Sequence, residues 1–137
     1  VSGYAGFTPV QSAVYAVLTG DVTLAGMITG VFDGQAPEGT AYPYVSYGPA
    51  IETPDSAFGV HGRATLVTLD VWSEYRGMAE ANAIMSRIHE LLAEQPLMVP
   101  GFVHVATRFE FGQTLVDPDR PGLRHGVLRF RVYTSKE

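Results

Sequence analysis

The stretch from Tyr42 to Leu92 constrains this chain more than any other. It runs YPYVSYG, then ETPDSAFGVHGR, then LVTLDVWSEYRGMAEANAIMSRIHELL. Within Arg63–Ser73, Val67, Leu69 and Val71 alternate with Leu66, Thr68, Asp70 and Trp72, the period of a strand with two unlike faces. From Gly77 to Gln95 the period changes. Ala81, Ile84, Met85, Ile88, Leu91 and Leu92 recur three and four residues apart, while Glu80, Arg87, Glu90 and Glu94 fall off that stripe. Pro96 and Pro100 end this helix. The helix is addressed to a core and the strand to a sheet. The loop between, Glu52–Gly62, is committed to neither, and its Phe58 has only Ala57 and Val60 nearby as apolar company. Fixing a loop backbone costs about 1–2 kcal/mol per residue. The loop is therefore expected to be poorly ordered in a free subunit and to order on a partner. Its candidate contact residues are Glu52, Asp55, Phe58 and His61.

The flanking segments complete the pattern. Thr8-Pro9-Val10-Gln11 predicts a helix start, with Thr8 as cap and Gln11 closing a capping box. Val10, Ala13, Val14, Val17 and Leu18 continue that helix to Gly20. Asp21 then caps a short second helix over Val22–Thr29. Val31–Phe32 reads as a brief strand, Asp33–Gly39 as loop, and Tyr44–Ile51 as a strand with an edge or bend at Pro49. Phe102–Leu115 is a long strand expected to show Val103, Val105, Phe109 and Phe111 on one face. A turn follows at Asp117–Gly122. Leu123–Thr134 returns, with Leu128, Phe130 and Val132 on one face and Arg129, Arg131 and Tyr133 on the other. The expected fold is α+β: a mostly antiparallel sheet with one long helix and one or two shorter ones packed on it. A chain of 137 residues, with no linker or low-complexity segment, is read as one domain spanning 1–137.

Composition narrows function by exclusion. There is no cysteine, so disulfide frameworks and thiolate zinc sites are ruled out. Net charge is −5, unlike a surface built to hold nucleic acid by counterion release. Charged residues make up 17% of the chain against a usual ~25%, and hydrophobic residues 46%, a balance that favours oligomerisation. No apolar run reaches the ~18–20 residues of a membrane span. The N-terminus lacks a basic region followed by an apolar core, so no secretory address is expected and folding is expected in a cytoplasm.

No catalytic constellation emerges. There is no nucleophile elbow and no P-loop lysine. His61, His89, His104 and His125 are not spaced as helical metal pairs, although His104 and His125 could meet across the last hairpin near Asp117 and Asp119. Surface and edge histidines are the plainer reading. Asp117 and Asp119 suit turn formation, their side chains bonding their own backbone. No cofactor or metal is expected. Six of the nine basic residues, Arg108, Arg120, Arg124, Arg129, Arg131 and Lys136, lie in the final thirty positions. Arg108, Glu110, Arg129 and Arg131 are candidate subunit-interface charges. The alternative is an ordinary solvated sheet face.

Four segments in order, FTPVQSAVYAVLTGD, DGQAPEG with YPYV, LDVWSEYRGMAEA, and FEFGQTLVDPD with LRHGVLRFRV, resemble the tail-completion, or tail-terminator, proteins of long-tailed phages and of gene transfer agents. The resemblance runs from about Pro9 to Val132. It implies a non-enzymatic virion protein, assembled in the host cytoplasm. Six copies would form a ring on the head-proximal end of the tail tube. The ring would stop tube growth and dock to the head connector, with DNA passing through its lumen. The implied partners are further copies of the chain, the tail-tube protein and the connector or stopper protein, with no membrane. The contacting loops map to Glu52–Gly62 and to Asp33–Tyr42. Two other readings stay open: a head-completion or stopper protein of the same connector, and a small α+β ligand-binding domain or enzyme.

Overall fold

The computed structural model describes residues 5–55, 57 and 61–136. Elements follow the order α1 (Phe7–Thr19), α2 (Val22–Ala25), β1 (Val31–Asp33), β2 (Tyr44–Tyr47), β3 (Ile51–Pro54), β4 (Gly62–Ser73), α3 (Ala79–Leu92), β5 (Phe102–Val116) and β6 (Arg124–Lys136). The strands form one sheet in the order β1-β2-β4-β6-β5, with β3 also paired to β4. All pairings are antiparallel except β1 with β2. The α+β expectation holds.

Period-two patterning decides which face of the sheet is covered. Val67, Leu69 and Val71 of β4 and Leu128, Phe130 and Val132 of β6 are almost fully buried. They meet Ile84, Ile88 and Leu92 of α3 and Val10, Val14 and Leu18 of α1 in one core. All the packing of α1 and α3 is on this face. The opposite face, with Leu66, Thr68, Asp70 and Trp72 of β4 and Arg129, Arg131 and Tyr133 of β6, carries no helix among the described residues. Two layers are thus built where a sheet could accept three.

Several local expectations change. The strand read over Tyr44–Ile51 is two strands, because Gly48-Pro49-Ala50 breaks the ladder. β2 then pairs with the Leu69–Trp72 end of β4, and β3 with its Arg63–Leu66 end. The loop read from Glu52 is consequently strand as far as Pro54. The helix α3 is shorter than its periodicity, and α2 is a single turn.

The start of α1 differs most. Gly6, not Thr8, is the N-cap, and no local side chain caps the helix. The acceptor comes from 46 residues away: the Gly6 N–H donates to Glu52 Oε1 at 2.6 Å. Asp21 does cap α2, accepting from the Leu24 N–H at 2.8 Å. It also takes two hydrogen bonds from Arg87 of α3, at 2.9 and 2.7 Å. Those donors hold the Asp21 carboxyl below the usual carboxylate range, Arg87 contributing more than the Leu24 amide.

The strand β5 does not keep one face throughout. Two register shifts, between His104 and Ala106 and between Phe109 and Phe111, each insert an extra residue. Phe109 therefore lies opposite Phe130 on the helix side, and Phe111 opposite Arg129 on the open side. The expectation that these two phenylalanines share a face is corrected by the bulge at Glu110.

Candidate functional site

The open face of the sheet carries two rows of side chains that cross strands at fixed register. In the first, Arg108 of β5 lies opposite Arg131 of β6, and Phe111 opposite Arg129. Like charges placed directly opposite repel. The bulge supplies the countercharge: Glu110, the inserted residue, accepts from Arg131 Nε at 2.6 Å. The Arg129 guanidinium carbon lies 5.5 Å from the Phe111 ring centroid, within cation–π range. The structure thus gathers Arg108, Glu110, Arg129 and Arg131, the four charges singled out from the sequence, into one cluster.

The second row runs Tyr44, Trp72, His125, Leu115 across β2, β4, β6 and β5. The Trp72 indole and His125 imidazole stack at 4.0 Å with 8° between planes. Both rings are pinned: Trp72 Nε1 donates to Ser46 Oγ at 3.1 Å, and His125 Nε2 lies 2.7 Å from Asp70 Oδ1. Tyr42 stacks on Tyr44 at 5.2 Å. Burial, then Tyr42 alongside, pushes the Tyr44 phenol up. Arg120 closes the row's end, donating to Tyr42 Oη at 3.0 Å and to Glu74 at 3.1 Å. Rigid aromatic and arginine groups of this kind supply most of the energy where protein surfaces meet.

The candidate loop residues fare differently. The Glu52 side chain is only 8% exposed. It holds the α1 start, accepts from the buried Thr65 hydroxyl at 3.2 Å and pairs with Arg63 at 3.9 Å. Glu52 is therefore part of the frame and not free to reach a partner, which corrects its expected role. Asp55 accepts from the Ala57 N–H at 3.0 Å, making a local turn. His61 is half-buried, at the start of β4. Phe58 lies outside the described residues, as do residues 56, 59 and 60 of the loop whose ordering was expected to depend on a partner.

The two histidines of the hairpin do not meet. His104 pairs with Thr134 and His125 with Leu115, at opposite ends of the β5–β6 ladder. Burial pushes the His104 imidazole below its ordinary value, and the ring bonds Thr107 Oγ1 at 2.7 Å. Asp117 forms the expected turn, accepting from the Asp119 and Arg120 amides. Among the described residues no group of three or more His, Cys, Asp or Glu side chains could hold a metal. No helix of the described residues is long and apolar enough to cross a membrane.

Comparison with known proteins supplies the setting. The family model for tail completion protein gp17 matches residues 12–135. The chain belongs to the gp17 tail completion protein family. The tail completion protein gp17 of Bacillus phage SPP1 is 34% identical over 90 residues, a span of 66% of each chain, just under two thirds of that relative. The solved structure of bacteriophage SPP1 gp17 superposes with a TM-score of 0.64 at 30% identity, covering 91% of this chain and 88% of that one. A chain from the virion of a native gene transfer agent particle superposes with a TM-score of 0.84 at 26% identity, covering 97% and 99%. The fold is the gp17 fold, and the relatives are parts of phage or gene transfer agent particles.

Two features escaped the sequence. Glu52 as a distant helix cap left no local signal. The Trp72–His125–Asp70 stack was marked only by these residues falling on the outward positions of predicted strands.

Proposed function

We propose that this tail completion protein is a non-enzymatic component of a phage or gene transfer agent tail. In this reading six copies form a ring on the head-proximal end of the tail tube. The ring ends tube polymerisation and joins the tail to the head connector. DNA crosses its lumen without sequence-specific contacts. The observation that carries the reading is the uncovered sheet face of a family member: aromatic and arginine side chains are held there by ring contacts and hydrogen bonds, with no helix of the described residues to cover them. A ring needs two unlike complementary faces on each copy, and a two-layer protomer has a helix face and a sheet face to offer. The arginine cluster serves register between copies more than affinity. The segments 33–42 and 52–62, apart from the structural Glu52, contact the tube or the connector.

Particles made without this protein test the reading against a stopper role. Loss of a terminator gives tails of uncontrolled length that do not join heads. Loss of a stopper leaves tails of normal length beside heads that fail to retain DNA, and that outcome would transfer the protein to the head side.

A further inference from the structure

Charge is segregated along this chain, and the fold sets Asp33 of the acidic span and the arginines of the basic span at opposite edges of the sheet. The first basic residue is Arg63; the residues before it hold five acids, Asp21, Asp33, Glu38, Glu52 and Asp55, and no lysine or arginine. Asp33 ends β1, one edge strand. Arg108 lies on β5, the other edge strand, with Arg129 and Arg131 on its neighbour. Among the described residues Asp33, Glu38, Arg108 and Arg129 make no ion pair within the chain.

The acidic edge is also a notch. The helix α1 contains no charged residue, although Phe7 and Tyr15 are about half exposed. A surface helix ordinarily turns charged or polar groups outward. Thr8, Gln11, Ser12 and Tyr15 of this face, with Asp33 of β1, line an open recess of about 510 Å³. Beneath it, a cavity of about 20 Å³, room for one water, reaches Tyr47. Tyr47 is buried, with 7% of the residue exposed, and its hydroxyl has no hydrogen-bond partner among the described residues. Buried hydroxyls are normally bonded. The recess therefore offers an incoming cation one exposed carboxylate, Asp33, on an otherwise uncharged wall of Thr8, Gln11, Ser12 and Tyr15, with the Tyr47 hydroxyl buried below it.

We propose that the arginine cluster on the open face of β5 and β6 of one copy seats on the α1–β1 recess of the next, with Arg108 and Arg129 directed to Asp33. The inference deepens the ring reading and rests on it. The contact is heterologous, joining unlike surfaces on opposite edges, so copies add head to tail and can close into a ring. A basic cluster on one edge, and an opposite edge built from the span without cations, fit a second copy of this chain. They also discourage like edges from pairing.

The absence of cysteine makes the test direct. Thr8→Cys places a thiol at the recess, and Gln113→Cys places one on the open face of β5. Thr8 stands on the helix side of the sheet and Gln113 on the open side of the edge strand β5, so within one chain the sheet itself lies between the two thiols and a short bismaleimide does not join them. Particles carrying the double variant, treated with the reagent and denatured, should give a ladder of linked copies ending at six. Each single variant should give none. Links from a single variant would mean like edges meet, which overturns the proposal. An unlinked double variant in particles whose ring is visible by electron microscopy would also overturn it, leaving the ring reading intact. Particles with no ring would remove both. Charge exchange gives a second measurement. Asp33→Arg alone, or Arg108→Glu with Arg129→Glu, should lower completed particles roughly tenfold or more. All three together should restore much of the loss, and no restoration would count against the pairing.

Discussion

Replacing Glu52 with alanine tests the claim that this carboxylate belongs to the frame. It removes the acceptor for the Gly6 amide at the α1 N-terminus and for the Thr65 hydroxyl, and it unpairs Arg63. A hydrogen bond to a charged group contributes about 1.5–3 kcal/mol. Thr65 is fully buried, and a stranded buried hydroxyl costs about 1–3 kcal/mol. Partial relaxation and entry of water into the vacated space make these losses less than additive. The expected cost is about 2–4 kcal/mol, read as a fall in urea midpoint with unchanged slope. Glu52→Gln keeps one oxygen acceptor and should cost less than half as much. Gly6→Ala approaches the same contact from the other side, since its Cβ would lie 2.9 Å from Glu52 Oε1 and push the carboxylate away. If Glu52→Ala unfolds within about 0.5 kcal/mol of the parent, as exposed substitutions do, the capping argument is wrong and the residue is free for a partner after all.

Other substitutions probe separate parts of the account. Ile88→Ala and Leu92→Ala, both in the core, should each cost about 2–5 kcal/mol in denaturant unfolding, whereas Glu90→Ala and Glu94→Ala should cost under about 0.5 kcal/mol. Tyr47→Phe removes an unpartnered hydroxyl and should leave the isolated subunit as stable or up to ~1 kcal/mol more so. Burial, with Asp33 nearby, pushes the Tyr47 phenol up to about 12. Its raised value means stability is fully present below the unfolded value of about 10 and is lost as pH rises toward 12, so Tyr47→Phe should flatten that alkaline loss. Asp21 has a lowered value, so its contribution is present above about 3.8 and is lost as pH falls through the folded value. Arg87→Met should therefore make the acid limb of a stability-against-pH curve shallower. Deleting Ala57–His61 should leave thermal unfolding nearly unchanged yet give overlong tails or tails without heads in micrographs.

Much of the fold was legible because burial imposes a period. The two faces of β4 and β6 and the stripe of α3 read directly from apolar spacing, since each packs against a single core. What escaped has no period. A bulge adds one residue without altering composition, so Phe109 and Phe111 look equivalent until the ladder shows Glu110 between them. A cap supplied from a distant strand leaves no mark near the helix it serves, and a sequence with Thr8, Pro9 and Gln11 in place suggests a local solution instead. The arginine cluster was partly legible, because alternation in β6 puts Arg129 and Arg131 on one face. Its pairing with Glu110 depended on the bulge and was not. The acidic, cation-free span before Arg63 is visible in the sequence, but only the strand order shows that its Asp33 lies at the sheet edge opposite the arginines.

The central claim is that this chain closes the tail at its head-proximal end as a ring. Electron cryomicroscopy of intact particles, with six-fold averaging along the tail axis and a comparison without imposed symmetry, measures it directly. The account predicts six copies in one layer between tube and connector, with the sheet face of each copy against the helix side of the next. A single copy bound off-axis, or density for this protein elsewhere in the particle, would contradict it.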